Sequence, residues 1–341
     1  MKLTKHLVFA AAAILSTSYA TAQTTGQTSG EPVKIRGFVD AQYKWQKSQD
    51  NTTGAVINDG ALYFTHKTGD TELFVDLPFA YSNQGVTYDA NGVAQTNNSF
   101  LVGGTKPQAF ISHTMGSTKL QLGQFDTIFG LELNDSPDIV FSTQGILFAN
   151  MIPLTHTGAV VSHAFGPVTV KAVAANSVTG KGDAGAQLKG KGEYGATVGY
   201  TDQMFRASVG YLTGRIVSTN ATLQDKSRNF TDLVVGGTFG SFLIDVEYAM
   251  EKFADRDQGT GLAVIPVFNI NEQFSAAARY EMLKDVSVGG SIFGTATQIT
   301  AGVQYLMSEA LRLKVDYSVL NLKSPDRDDD NSFAFAAIYK F

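Results

Sequence analysis

Residues 33–46 read Val33-Lys34-Ile35-Arg36-Gly37-Phe38-Val39-Asp40-Ala41-Gln42-Tyr43-Lys44-Trp45-Gln46, and their alternation decides the fold. Val33, Ile35, Gly37, Val39, Ala41, Tyr43 and Trp45 share one parity, while Lys34, Arg36, Phe38, Asp40, Gln42, Lys44 and Gln46 share the other. Successive side chains of a strand point to opposite faces, so this segment has one uncharged face and one charged face. A half-buried sheet in water has the same signature. Repetition and closure separate the two cases.

The pattern recurs along the whole chain. Near 71–81, Leu73, Val75, Leu77, Phe79 and Tyr81 oppose Glu72, Phe74 and Asp76. Phe205, Ala207, Val209 and Tyr211 oppose Arg206 and Ser208; Phe242, Ile244, Val246, Tyr248 and Met250 oppose Asp245, Glu247 and Glu251. Phe274, Ala276, Ala278, Tyr280 and Met282 oppose Arg279 and Glu281, and Leu311, Leu313, Val315, Tyr317 and Val319 oppose Arg312, Lys314 and Asp316. Tight breaks such as Thr68-Gly69-Asp70, Gly116-Ser117, Gly166-Pro167 and Gly240-Ser241 alternate with long polar ones. Short turns on one side and long loops on the other mark a closed transmembrane barrel. Counting hairpins predicts an all-β, antiparallel transmembrane barrel of about 16 strands, a size that leaves an aqueous lumen. A Lys or Arg on the lipid face at mid-bilayer costs roughly 2–4 kcal/mol, so the charged faces must line water.

The ends and the composition agree. Residues 1–22 carry Lys2 and Lys5, the apolar run Leu7 to Leu15 and Ala20-Thr21-Ala22, the layout of a cleaved export signal; that run is too short to span a bilayer as a helix. Residues 23–32 form a polar lead-in, leaving 33–341 as a single barrel domain. Without Lys2 and Lys5 the formal charge moves from -5 to -7, and no Lys/Arg run could track a nucleic-acid backbone. The chain has no Cys, hence no disulfide framework and no thiolate metal site. With 34 Gly, 23 Phe, 13 Tyr and 8 Pro, it is built for short strands rather than long helices.

The longest break, 127–154, contains Glu132, Asp135 and Asp138 and no Lys, Arg or His. Ser136-Pro137-Asp138 followed by Ile139-Val140-Phe141 and closed by Gly145 predicts a short helix with Pro in its first turn and Gly past its end. An acidic segment of this length is expected to fold into the lumen and narrow it. Basic lumen positions (Lys34, Arg36, Lys119, Lys171, Arg206, Arg312 and Lys314) sit near the starts of upward strands, and acids (Asp40, Asp76, Glu247, Glu251, Glu281 and Asp316) lie further along. The expected result is a weak cation preference, with a field running from the loop toward wall residues such as Arg279.

Other motifs carry less. Gly180-Lys181-Gly182-Asp183-Ala184-Gly185 and Gly190-Lys191-Gly192-Glu193-Tyr194-Gly195 match G-x-G-x-x-G but open no helix. Asp326, Asp328 and Asp330 begin like an EF-hand, yet Asn331 and Ala337 stand where Gly and Glu are required. His66, His113, His156 and His163 show no metal-binding spacing, and the odd separation of His156 from His163 puts them on opposite faces. Neither an enzyme nor a cofactor is expected.

The final Tyr339-Lys340-Phe341 resembles the terminal strand of Gram-negative outer-membrane porins. Gly37-Phe38-Val39-Asp40-Ala41, together with Leu122-Gly123-Gln124-Phe125, Phe129-Gly130-Leu131-Glu132 and Pro153-Leu154-Thr155-His156-Thr157-Gly158, resembles the β-barrel porins of the OmpL-like family. The resemblance implies residence in the outer membrane among lipid and lipopolysaccharide, and passive diffusion of small hydrophilic solutes and ions through a water-filled channel. It further implies insertion by the barrel assembly machinery through Tyr339 and Phe341, a homotrimer, and constriction by the third long loop. A structural or surface-interaction barrel without significant conductance is the alternative.

Overall fold

The computed structural model describes residues 30–47, 52–88, 94–102, 107–176, 192–216, 226–254, 258–288, 291–292, 294–323 and 329–341. The export signal, residues 23–29 of the lead-in, Gly180 to Lys191, Asp326 and Asp328 lie outside these residues.

In chain order the strands are β1 (Lys34–Gln46), β2 (Thr52–Thr68), β3 (Thr71–Tyr88), β4 (Ala94–Val102), β5 (Gln108–Met115), β6 (Thr118–Asp126), β7 (Thr155–Phe165), β8 (Val168–Asn176), β9 (Gly192–Thr201) and β10 (Phe205–Ile216). They continue as β11 (Lys226–Phe239), β12 (Phe242–Phe253), β13 (Gly259–Asn269), β14 (Phe274–Lys284), β15 (Ser287–Val288), β16 (Ser291–Ile292), β17 (Thr295–Leu306), β18 (Leu311–Lys323) and β19 (Asp330–Lys340). Every neighbouring pair is antiparallel. β4 and β5 pair successively along β3 and count as one stave, while β15 and β16 form a separate hairpin in an external loop. Sixteen staves therefore form the wall. β1 pairs with β2 on one edge and β19 on the other, and Gly37 and Phe341 exchange both backbone hydrogen bonds at 3.0 Å. Among the described residues the ring of staves is closed, a requirement in lipid, where unpaired backbone groups find no water.

The short turns use two local devices. Gly69, Gly116, Gly166 and Gly240 take φ between 56° and 61°, a conformation that suits tight hairpins and costs Gly nothing. Where Gly is missing, a side chain substitutes: Asp202 accepts from the Met204 and Phe205 amides at 2.8 and 2.7 Å, and Asn271 from Gln273 and Phe274 at 2.8 Å each.

The alternation sorts residues as the sequence predicts. Ile35, Tyr43, Leu73, Ile111, Leu122, Val209, Val235, Ile299 and Val303 are exposed on the outside, and Phe165, Phe205, Phe239, Phe268, Phe274 and Phe341 ring the short-turn end. That outer face suits lipid and an interfacial aromatic girdle. Wall height is uneven. β2 and β3 run 17 and 18 residues, against 8 to 11 for β5 to β8, and a tilted span needs only about 9–11.

Candidate functional site

Residues 127–154, joining β6 to β7, turn into the barrel. Their neck is tied by Thr127 N to Leu154 O at 3.0 Å and by Asn134, which donates to Asp126 and to the Leu154 carbonyl. Irregular backbone inside a wall leaves amides and carbonyls to be satisfied, each costing roughly 1–3 kcal/mol if buried without a partner. Wall side chains supply those partners. Carboxylates accept from loop amides: Asp232 from Gly130 (2.8 Å), Asp59 from Ser136 (3.0 Å), Asp316 from Ser142 (3.1 Å) and Glu281 from Ile146 and Leu147 (3.0 and 2.9 Å). Cations donate to loop carbonyls. Lys314 directs its ammonium at those of Ser136, Ile139 and Phe141 (2.8, 2.6 and 3.1 Å), Arg312 at Pro137 (3.1 Å), and Arg228 at Met151 (3.2 Å). Three bonds are all that an ammonium can donate.

This grip corrects the helix expected from Ser136 to Gly145. Only a 3-10 turn forms at Ser136–Asp138, the chain is extended at Ile139 (φ -102°, ψ 158°), and the helix is α1, Ile146–Asn150, with Gly145 before it rather than after. Lys314 takes the carbonyls that a helix would have used internally. Glu281 then caps the orphan amides at the start of α1.

The structure divides the charges read from the sequence into two groups. Asp40, Glu247, Arg279, Glu281, Lys314 and Asp316 point inward but are covered, with Arg279 and Glu281 at 0% exposure. Arg279 pairs with Glu132 at 2.7 Å and Glu281 at 3.1 Å, and its guanidinium lies 4.8 Å from the Phe141 ring centre. The expected field from loop to Arg279 is therefore absent from the open lumen, because Glu132 and Arg279 balance each other beneath the loop. Glu132 also accepts from the Gly145 amide at 2.7 Å, which makes it a loop staple. Asp138 is exposed and meets Lys340 at 3.3 Å. Of the remaining wall charges, Arg36 and Arg206 are exposed and Lys119, Lys171 and Arg312 half-buried; Arg206 is bonded to Asp245. Tyr339 and Phe341 present outward-facing rings 6.4 Å apart.

Arg228 escaped the sequence reading. It is buried, bonded to Glu251 at 2.9 Å, 3.9 Å from Glu193, and above the Phe230 ring at 5.5 Å. The signal was the inward parity Arg228, Phe230, Asp232 on β11. The inward face also proves less uniformly polar than expected. Phe125, Phe129, Leu147, Phe148, Met151 and Ile152 form one apolar cluster with wall residues Val160, Val173, Leu212, Phe230 and Leu283. Burying a Leu or Phe is worth about 1.5–3 kcal/mol, so this cluster fixes the loop against the β7 to β17 side.

Open volume remains on both sides: a cavity of about 480 Å³ lies between residues 128–131 and β8 to β11, bordered by Lys171 and Arg206, and two more lie between the loop and β1 to β5. An outer cavity of about 400 Å³ is bordered by Lys44, Asn58, Asp59, Asp76, Asn134 and Asp135. A periplasmic cavity of about 500 Å³ is bordered by Arg36, Tyr63, Phe74, Gln108, Phe110, Asp126, Asp135 and Lys340. Asp135 belongs to both, and Tyr63 reaches across from the wall to donate to it at 2.5 Å. The narrowing is thus surrounded by Asp59, Asp76, Asp126 and Asp135, of which only Asp135 was selected from sequence as a constriction residue. His156 is buried against Phe125 and Phe129, and His163 bonds Thr118 at 2.7 Å; among the described residues no cluster of metal-ligating side chains forms.

Sixteen antiparallel staves closed on themselves, an apolar outer belt and a third long loop folded into the lumen define a porin-type transmembrane β-barrel. More particularly, the chain belongs to the family described as "Putative beta-barrel porin-2, OmpL-like", whose profile matches residues 32–341. No curated protein sequence matches it. Solved structures with the same fold include OmpT of Vibrio cholerae in trimer form (15% identity, TM-score 0.64, covering 92% of this chain and 99% of that one). Another is an anion-selective porin from Comamonas acidovorans (14%, 0.63, 92% and 100%). A third is OmpF of Salmonella typhi in complex with daunomycin (13%, 0.65, 91% and 97%).

Proposed function

We propose that the protein is an outer-membrane porin that admits small hydrophilic solutes and ions by passive diffusion, without a cofactor or catalytic chemistry. The observation that carries this reading is the pair of cavities that lie on either side of Asp135, which borders both. Carboxylates outnumber cations at that narrowing, so the channel prefers cations; grouped charge in a confined path tunes selectivity in this way. The seat of the preference is Asp59, Asp76, Asp126 and Asp135, with Glu132 neutralised by Arg279. An export signal, lipid and lipopolysaccharide around the belt, the barrel assembly machinery and a homotrimer complete the proposal. The trimer draws on the OmpT trimer form and on the low wall from β5 to β8.

A non-conducting structural barrel has one observation in its favour, the apolar fill around α1. Single-channel recording in planar bilayers, with reversal potential under a salt gradient, separates the two. Stable steps with a cation-directed potential that shrinks in Asp76→Asn/Asp135→Asn support the porin. Correctly folded barrel without steps establishes the structural reading instead.

A further inference from the structure

Polar residues are expected at inward positions of a water-filled barrel, yet four neighbouring staves carry an aromatic there. Phe38 on β1, Tyr63 on β2, Phe74 on β3 and Phe110 on β5 form a continuous row, with ring centres 6.2, 5.9 and 5.0 Å apart and planes within 34°, 25° and 28° of each other. The row borders the periplasmic cavity. Phe38 and Tyr63 cluster with Ala61, Ala336 and Ile338, all on the wall, while Phe110 at the far end of the row also packs against the loop's apolar anchor. Phe38 is buried and seats the row, while Tyr63, Phe74 and Phe110 are half-buried.

We propose that this row is a carbohydrate-binding lane just below the narrowing. It rests on the porin reading and names a solute class for it. A pyranose has faces of C–H groups and edges of hydroxyls. The C–H faces suit the electron-rich faces of aromatic rings, and the hydroxyls need both donors and acceptors. Around the row stand Asp126 and Asp135 as acceptors, Gln108 as both, and Arg36 as donor. Asp126 and Asp135 already accept from Asn134 and Tyr63, and a carboxylate keeps further lone pairs for a solute hydroxyl that an apolar solute could not use. An organic cation would also suit the rings and acids, but it has no acceptor for the Arg36 donors in the same cavity, while Lys340 is paired with Asp138. A volume of about 500 Å³ falls within the range of roughly 300–1,000 Å³ that small-molecule sites occupy.

The test is interruption of single-channel ion current by maltohexaose added to the periplasmic side, with a polyethylene glycol of equal hydrodynamic size as control. Wild type is expected to show concentration-dependent block by the sugar and none by the polymer. Phe74→Ala/Phe110→Ala should weaken the block by roughly tenfold or more, since two ring contacts are lost. Phe74→Leu/Phe110→Leu keeps apolar volume while removing the rings, and should weaken it likewise in a barrel whose folding is verified by heat-modifiable gel mobility. Normal conductance without sugar block, or equal block in both variants, overturns the lane and leaves the porin standing. Block by benzyltrimethylammonium in place of maltohexaose overturns the carbohydrate assignment. If the barrel conducts nothing, calorimetric titration of the refolded protein in detergent with maltohexaose decides the lane separately: heat lost in the Leu variant supports it, and none in wild type overturns it.

Discussion

The two halves of the lumen use the same inward parity for opposite purposes. From β11 to β18, inward side chains hold the loop: Arg279, Glu281, Lys314 and Asp316 are buried and engaged with its backbone or with Glu132. From β1 to β5 they mainly border open volume, with Asp76 and Tyr63 at the narrowing and Phe74 and Phe110 beneath it, although Asp59 accepts from the Ser136 amide and Gln42 donates to the Ser142 carbonyl. Facing inward in a barrel is therefore a geometric fact, whereas facing water depends on what else lies inside.

The strongest way to break this comparison is to cut the anchor side. Arg279→Met strands Glu132 and Glu281 in a dry site, and breaking a buried pair costs about 3–5 kcal/mol. Urea unfolding from lipid vesicles should show that loss, and single channels should become larger and noisier as the loop comes free. Adding Glu132→Gln and Glu281→Gln should restore most of the stability, because neutral groups no longer require a counter-charge. A subtler cut is Gly145→Ala. Its new Cβ would overlap the Glu281 carboxylate that caps α1, and overpacking of this kind costs roughly 1–3 kcal/mol, measured by the same unfolding assay.

Two carboxylates on one loop sharpen the contrast further. Glu132→Gln should leave the reversal potential unchanged, since Glu132 is buried beneath the loop and Glu281 still balances Arg279, while Asp135→Asn should move it toward zero with a stability change of no more than about 1 kcal/mol. Equal shifts from both would dissolve the distinction between anchor and pore side. The smallest effect lies outside both halves, at the periplasmic turn. The Tyr200 hydroxyl, then the Phe205 and Met204 amides, hold the Asp202 carboxyl below its ordinary value of 3.8. A depressed native pKa stabilises above the ordinary value and ceases to do so as pH falls through the depressed one. Hydrogen exchange at Met204 and Phe205 should therefore quicken only in that acid range, and Asp202→Asn, which can cap the turn as Asn271 does, should abolish the dependence.

The barrel was legible because its determinants are local. Period-two alternation, Gly at tight turns and Asp or Asn where Gly is missing are each written within a few residues; β1 starts within one residue of the expected 33–46, and the alternating residues 205–211, 242–250, 274–282 and 311–319 fall wholly within β10, β12, β14 and β18. β3 extends well beyond the expected 71–81, since a wall raised above the membrane needs no lipid-facing signature. Residues 127–154 were legible as an acidic break but not as a shape. Ser136-Pro137-Asp138 begins a turn by local chemistry, but the path of the backbone from Ile139 to Phe141 is set by Lys314, more than 170 residues away in sequence. Arg228, Asp59 and Asp126 gained their roles from the loop as well, and their own strands mark at most that Arg228 faces inward.

By itself the sequence determined an antiparallel barrel of about 16 strands, its inside and its outside, since each follows from side-chain parity and the cost of charge in lipid. Only the tertiary structure decided which inward charges meet water, where the helix of the loop begins and which wall the loop leans on. Those outcomes depend on hydrogen bonds and apolar contacts between residues a hundred or more positions apart, which no local pattern encodes.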